Sequence, residues 1–193
     1  MTCRVLCLLV IEFQQAGDPV AIAVDLANTW DTLESQHEQL REVADLRAFL
    51  ERHEYSGAAA ADERDLARVR EFRDELRAVF AEPDEDRAAM RLNGLLERSG
   101  AVPQLVPEGE EWALRHTPVG SGPSARLIAA ASAAVAEAVS ALGWERLGTC
   151  EAAPCTCVFV DRSRSGTRRY CCRLCADRAA TAAYRERRRG DPG

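Results

Sequence analysis

Large apolar residues recur along the chain in two rhythms, and each rhythm predicts a different element. Val20, Ile22, Val24 and Leu26 alternate with Ala21, Ala23 and Asp25, a period of two that predicts a half-buried strand ending at Asn28-Thr29. Helical spacing takes over at Val43, Leu46, Phe49 and Leu50 and gives a helix from about Leu40 to His53. A linker, Gly57 to Ala61, separates it from a longer stripe of Leu66, Val69, Phe72, Leu76, Val79 and Phe80, which Asp62 opens and Pro83 stops. Asp84 is placed to cap a third helix, running through Met90, Leu92, Leu95 and Leu96 to a terminator at Gly100.

Beyond it, Ala101 to Gly109 carries two prolines and reads as a loop. Trp112, Leu114 and His116 then alternate with Ala113, Arg115 and Thr117, which predicts a second strand with residues 20–26 as its partner. Pro118 to Pro123 breaks the chain again. From Ser124 a stripe of Leu127, Ile128, Ala131, Val135, Ala138, Val139 and Leu142 predicts a helix that ends at Gly143. That helix is alanine-rich and narrow, suited to close packing within the body or across a dimer interface. It runs straight into Trp144, so a change in the body can pass along it to the C-terminal module. Asp25 and Asn28 read as residues that hydrogen-bond local backbone at the end of the first strand, with a ligand pocket as the alternative. His116 reads as a structural histidine.

At 193 residues the chain holds one core of about 100–150 residues plus a small module. The longest apolar candidate, Val5 to Ile11, is far short of the roughly 20 residues that a membrane span needs, so no span is expected. Its flanks lack the basic start and small-residue cleavage pattern of a secretory signal, and residues 1–17 read as a poorly specified N-terminal extension on a cytoplasmic protein. The net charge of −6 hides an asymmetry. From Glu145 onward there are eleven arginines against six acids, net +5, which leaves residues 1–144 at net −11. An acidic body with a basic tail suits a module that touches a polyanion while its body stays away from it.

Six of the eight cysteines fall between Cys150 and Cys175. Cys150 and Cys155 form one close pair, Cys171 and Cys175 another, and the turn-rich segment between them is long enough to bring the pairs together. That is the requirement of a four-thiolate zinc site, and the lack of an export signal favours metal over disulfides. With no position left open for water, one such zinc ion is structural. Cys3 and Cys7 have no assigned role. Cys157 and Cys172 are left over: Cys172 can replace its neighbour Cys171 or act as a redox-sensitive thiol, but the plainer reading is a small side chain filling a crowded site.

Trp144 to Cys150, the run Val158 to Cys171, and Cys175-Ala176-Asp177-Arg178 together resemble the CGNR zinc-finger family. The tetrapeptide that names the family keeps its Cys and Arg here and changes the two residues between. Val24-Asp25-Leu26-Ala27-Asn28-Thr29 is similar to the opening motif of ABATE, the helical regulatory domain that precedes the finger in that family. The resemblance implies a transcription regulator.

The expected fold is α-dominated, of α+β class. A helical N-terminal domain with a short antiparallel strand pair (18–143) precedes a small treble-clef-like finger (144–193). Within the finger, Val158 to Val160 and Arg168 to Tyr170 are expected to form a hairpin that turns at Arg164-Ser165-Gly166-Thr167, with Gly166 supplying a positive φ. Cys175 then opens a terminal helix, where free backbone N–H groups favour its thiolate. On that helix Arg178, Arg185 and Arg189 lie within about 40° of one another around the axis and make one stripe. With Arg164, Arg168 and Arg169 they are the candidate nucleic-acid contacts, since the planar guanidinium suits phosphate. The leading reading is a zinc-binding, DNA-binding transcription regulator whose N-terminal domain forms a homodimer or senses an unidentified small molecule. The alternative is a zinc-stabilised adaptor whose arginines meet an acidic protein. The sequence offers no nucleophile–base set, phosphate loop or open metal site, and has three histidines in all, so an enzyme is not expected.

Overall fold

The alternating segment after Pro19 is helical, not extended. The computed structural model describes residues 17–33, 37–116 and 122–189, and in it α1 spans Pro19–Ala27. Asp18 caps this helix by accepting from the Val20 N–H at 3.0 Å, and Pro19 occupies the first turn, where its missing N–H costs nothing. Val20, Ala23 and Ala27 form one buried row and Ile22 and Leu26 another, so the alternation of seven residues was one edge of a helix buried over a wide face. The expectations about the N-terminal extension, with Cys3 and Cys7, lie outside the described residues.

Three helices then continue the body: α2 (Val43–Arg52), α3 (Glu63–Ala81) and α4 (Glu85–Ser99). A reciprocal cap starts α3: Asp62 accepts from the Asp65 N–H at 3.0 Å while Asp65 accepts from the Asp62 N–H at 3.1 Å. Asp84 caps α4, and Gly100 ends it in the left-handed region at φ 63°. On α3, Arg73 is buried to 2% exposure, donating to Glu38 at 2.7 Å and to Asp74 at 3.0 Å, and so fastens the loop after α1 to the helix.

The strand pair of the body is a hairpin. β1 (Pro103–Glu108) and β2 (Glu111–His116) pair antiparallel, Leu105 opposite Leu114 and Pro107 opposite Trp112, so the segment expected as a loop is the partner of β2, and residues 20–26 are not. Prolines 103 and 107 disguised it. They share one parity and face away from β2, where a missing N–H breaks no ladder bond. One side of this hairpin carries Leu105, Trp112 and Leu114, exposed at 67%, 71% and 56%.

α5 (Pro123–Leu142) is the central helix and packs against α1, α3 and α4 through Leu127, Ile128, Ala131, Ala134, Val135 and Ala138. By length and composition it is long and apolar enough to cross a bilayer, so Val5 to Ile11 is not the longest apolar candidate as expected; alanine carries most of this run. In the fold its apolar face is taken up by the protein core.

The finger begins with a three-residue turn at Trp144–Arg146 and has two strands, β3 (Leu147–Thr149) and β4 (Val158–Val160), before α6 (Arg173–Arg189). β4 pairs with β3, not with residues 168–170 as expected. Asp161 decides this by accepting from the N–H groups of Ser163 at 2.8 Å and Arg168 at 2.9 Å, which draws residues 162–168 into a loop. Gly148 has no room for a side chain, since a Cβ there would lie 2.7 Å from the Phe159 ring. Val158 and Val160 are buried in the same core as α1 and α5, so body and finger share apolar packing.

Candidate metal centre and nucleic-acid face

Cys150 and Cys155 lie in the loop that joins β3 to β4. The Cys150 N–H donates to the Cys157 carbonyl at 2.8 Å and the Cys155 N–H to the Ala152 carbonyl at 2.9 Å, which folds the loop back on itself. Cys171 precedes α6, and Cys175 is its third residue, where backbone N–H groups have no partner within the helix. The four Sγ atoms all lie within 4.8 Å of one another, with Cys155 to Cys171 at 3.7 Å and Cys171 to Cys175 at 3.5 Å. Tetrahedral zinc with Zn–S bonds of about 2.3 Å places its sulfurs about 3.8 Å apart. All four are free thiols and three are buried, so the donor set fits one closed tetrahedral zinc and is able to hold that ion.

Cys157 and Cys172 are both buried in the same small cluster, which Leu33 of the body also enters. Asp31, Cys155 and Cys157 place their donor atoms within 4.8 Å of one another. Hydrogen bonds from Cys157 and Cys171 hold the Cys155 thiol below the ordinary cysteine range, and Cys155 in turn pushes Cys157 up. Burial pushes the Cys175 thiol up, a tendency that a coordinated cation reverses.

The candidate nucleic-acid residues divide into two groups. Arg168 lies over the Phe159 ring at 4.9 Å and donates to the Tyr170 carbonyl at 3.0 Å and to the Cys171 carbonyl, bracing the segment before the second cysteine pair. Arg169 pairs with Glu151 at 2.7 Å. Arg178 turns back into the cluster, donating to the Ala152 carbonyl at 2.7 Å. Arg164 stands exposed on the loop ordered by Asp161, and Arg185 is exposed on α6 beside Arg187 and Arg188. Arg189 closes α6, and its side chain lies outside the described residues. Gly166 has the expected positive φ, 63°, and a Cβ there would meet the Arg146 guanidinium at 2.6 Å.

Four body residues at this site were not anticipated as such. Asn28 donates to the Val158 carbonyl at 3.0 Å and accepts from its N–H at 2.8 Å, a long-range pairing and not the local one expected. Thr32, Arg77 and Asp31 also reach the finger loop. The motif Val24 to Thr29 was the available signal, but it said nothing of what Asn28 would meet.

A helical body that shares its core with a four-cysteine finger defines a class of two-part zinc-finger proteins. The family model for ABATE, described as "Putative stress-induced transcription regulator", matches residues 21–143, and that for the CGNR zinc finger matches residues 146–188. The chain belongs to the ABATE family and carries a CGNR zinc finger at its C-terminal end. Both families are of regulator and zinc-finger type. No curated protein matches the chain.

Proposed function

We propose that the protein is a cytoplasmic, DNA-binding transcription regulator, in which a structural zinc held by Cys150, Cys155, Cys171 and Cys175 fixes the start of α6. The observation that carries this reading is the course of α6: it starts in the metal cluster and ends in exposed Arg185, Arg187 and Arg188. A helix anchored at one end by metal presents its basic end at a fixed angle, as phosphate recognition requires. Arg164 adds a second exposed cation from the loop. Binding of bulk DNA across a salt series is the test, since counterion release makes phosphate binding steeply salt-dependent. A protein with zinc but no affinity for DNA at low salt is instead an adaptor for an acidic protein.

The body is the part that dimerises. The hairpin side bearing Leu105, Pro107, Trp112 and Leu114 has one ionisable residue, His116 at its far end beside Glu137, in a body of net −11, so two copies can meet on its outer part with little like-charge repulsion. Those side chains supply roughly half of the ~800 Å² per partner that a standard interface buries, a suitable apolar centre. A small-molecule effector would be received by the 410 Å³ cleft between the end of α3 and the finger, lined by Phe80, Glu82, Trp144, Thr149 and Arg168.

A further inference from the structure

Within the loop from Cys150 to Cys157 the carbonyls of Glu151, Ala152 and Cys157 accept from the loop's own N–H groups, whereas those of Pro154 and Thr156 accept from the body. The Pro154 carbonyl accepts from the Thr32 hydroxyl. The Thr156 carbonyl accepts from Arg77 Nη2 at 3.0 Å, and the Thr156 hydroxyl lies 3.1 Å from the same nitrogen. The Val158 carbonyl and N–H are both taken by Asn28. Residues 154, 156 and 158 thus face the body in turn, while the carbonyl of the intervening Cys157 accepts from Cys150. The side chains of Asn28, Thr32 and Arg77 do what a neighbouring strand would do, and they bracket Cys155 and Cys157.

The bracket is itself anchored. Arg77 also donates to the Ala27 carbonyl at 2.8 Å and to that of Trp30 at 3.3 Å, which ties α3 to the turn after α1. Three residues beyond Trp30, Leu33 packs into the cysteine cluster, and its N–H is held by Asp31 at 2.8 Å.

We propose that the metal centre is a two-domain site, in which Asn28, Thr32 and Arg77 of the helical body are positioning residues that hold the Cys150–Cys157 loop in its metal-binding shape. The proposal rests on reading Cys150, Cys155, Cys171 and Cys175 as the zinc ligands. It makes metal retention a property of the body: whatever moves α1 or the turn at residues 27–33 moves Cys155, and loss of the ion loosens that turn. A signal received by the body therefore reaches the finger through this contact, independently of the covalent link at Gly143-Trp144.

The test is zinc release from the full chain to a chromophoric chelator, after zinc content has been measured. Asn28→Leu and Arg77→Met are expected to release zinc about 10–100-fold faster than the parent, the usual effect of losing outer-shell support. Thr32→Val removes one hydrogen bond at nearly constant shape, so it keeps the proposal testable if the others fold poorly, and it is expected to accelerate release several-fold. Leu95→Ala on α4 weakens the body core without touching the loop. It is expected to lower the melting temperature and leave the release rate at the parental value. Parental release rates in Asn28→Leu, Arg77→Met and Thr32→Val overturn the proposal, as does equal acceleration by Leu95→Ala. A parent that carries no zinc instead overturns the ligand reading beneath it.

Discussion

Arg178 lies one helical turn beyond Cys175 and brings its Nη2 within 3.5 Å of the cysteine sulfur while donating to the Ala152 carbonyl at 2.7 Å. One guanidinium thus touches both halves of the cysteine cluster, the start of α6 and the loop after β3. Of the tetrapeptide Cys175-Ala176-Asp177-Arg178, the two ends are in contact.

Arg178→Gln is therefore expected to weaken zinc retention by about 10–100-fold, as loss of an outer-shell partner does. Arg185→Gln, seven residues on and exposed, is expected to leave it unchanged. Chelator competition on the two purified variants checks this, and equal retention in both would mean that Arg178 is a surface residue after all.

One zinc per chain is the second expectation. Cys150→Ser should abolish retention, because the loss of one thiolate from a closed four-ligand site breaks the site and unfolds the finger with it. Cys157→Ser should keep the ion, since Cys157 borders the four-sulfur group without belonging to it. Elemental analysis of protein purified without chelator decides both; retention in Cys150→Ser with loss in Cys157→Ser would exchange their roles.

How much of this was legible in the sequence differs from element to element. α3, α4 and α5 were, because each has a long apolar stripe with punctuation at its ends: Asp62, Asp84, Gly100 and Gly143. α1 was not, because seven residues rich in alanine fit both periods, and the decisive signals, Asp18 and Pro19, lie just before the pattern. β1 was hidden by prolines that sit on the harmless side of its ladder. The four cysteines could be picked out by spacing, but the partner of β4 could not, since short strands carry little period and Asp161 acts through a loop. Least legible was Asn28, whose partner Val158 lies 130 residues away and contributes only backbone atoms.

Val158 and Val160 lie in the body core, so removing the finger uncovers the apolar surface that they fill. Burial of a valine contributes about 1.5–3 kcal/mol, and the pair together a few kcal/mol. A chain of residues 18–143 is expected to keep its helices, since α1 to α5 hold most of the core, and to melt about 10 °C or more below the full chain. Far-UV circular dichroism with a thermal ramp measures it. An unfolded fragment would mean that the two parts fold only together, and an unchanged melting temperature that the shared packing contributes nothing.

Trp112→Glu places a charge on the outer, apolar part of the hairpin side, where two copies are proposed to meet. Trp112 is 71% exposed, so the change should leave the monomer fold intact. Light scattering is expected to find a dimer for the parent and a monomer for the variant. A monomeric parent would remove the hairpin as a dimer surface.

The last expectation concerns α6 and DNA. With Arg178 committed to the cysteine cluster and Arg173 beside Asp177 at the start of the helix, the exposed cations described toward its far end are Arg185, Arg187 and Arg188, of which Arg188 also lies 6.0 Å from the centre of the Tyr184 ring. If all three meet phosphate, changing them together to glutamine removes three contacts, each of which accounts for about 0.9 in the slope of log affinity against log salt. The slope should therefore fall by roughly two to three, with weaker binding at every salt concentration. Zinc content and melting temperature should stay as in the parent, because no cysteine or core residue is touched. That combination separates a lost DNA surface from a damaged finger: Arg178→Gln should lower zinc retention as well as binding, and the triple variant should lower binding alone. Parental affinity in the triple variant would assign the contact elsewhere, with Arg164 on the Asp161 loop the next residue to change.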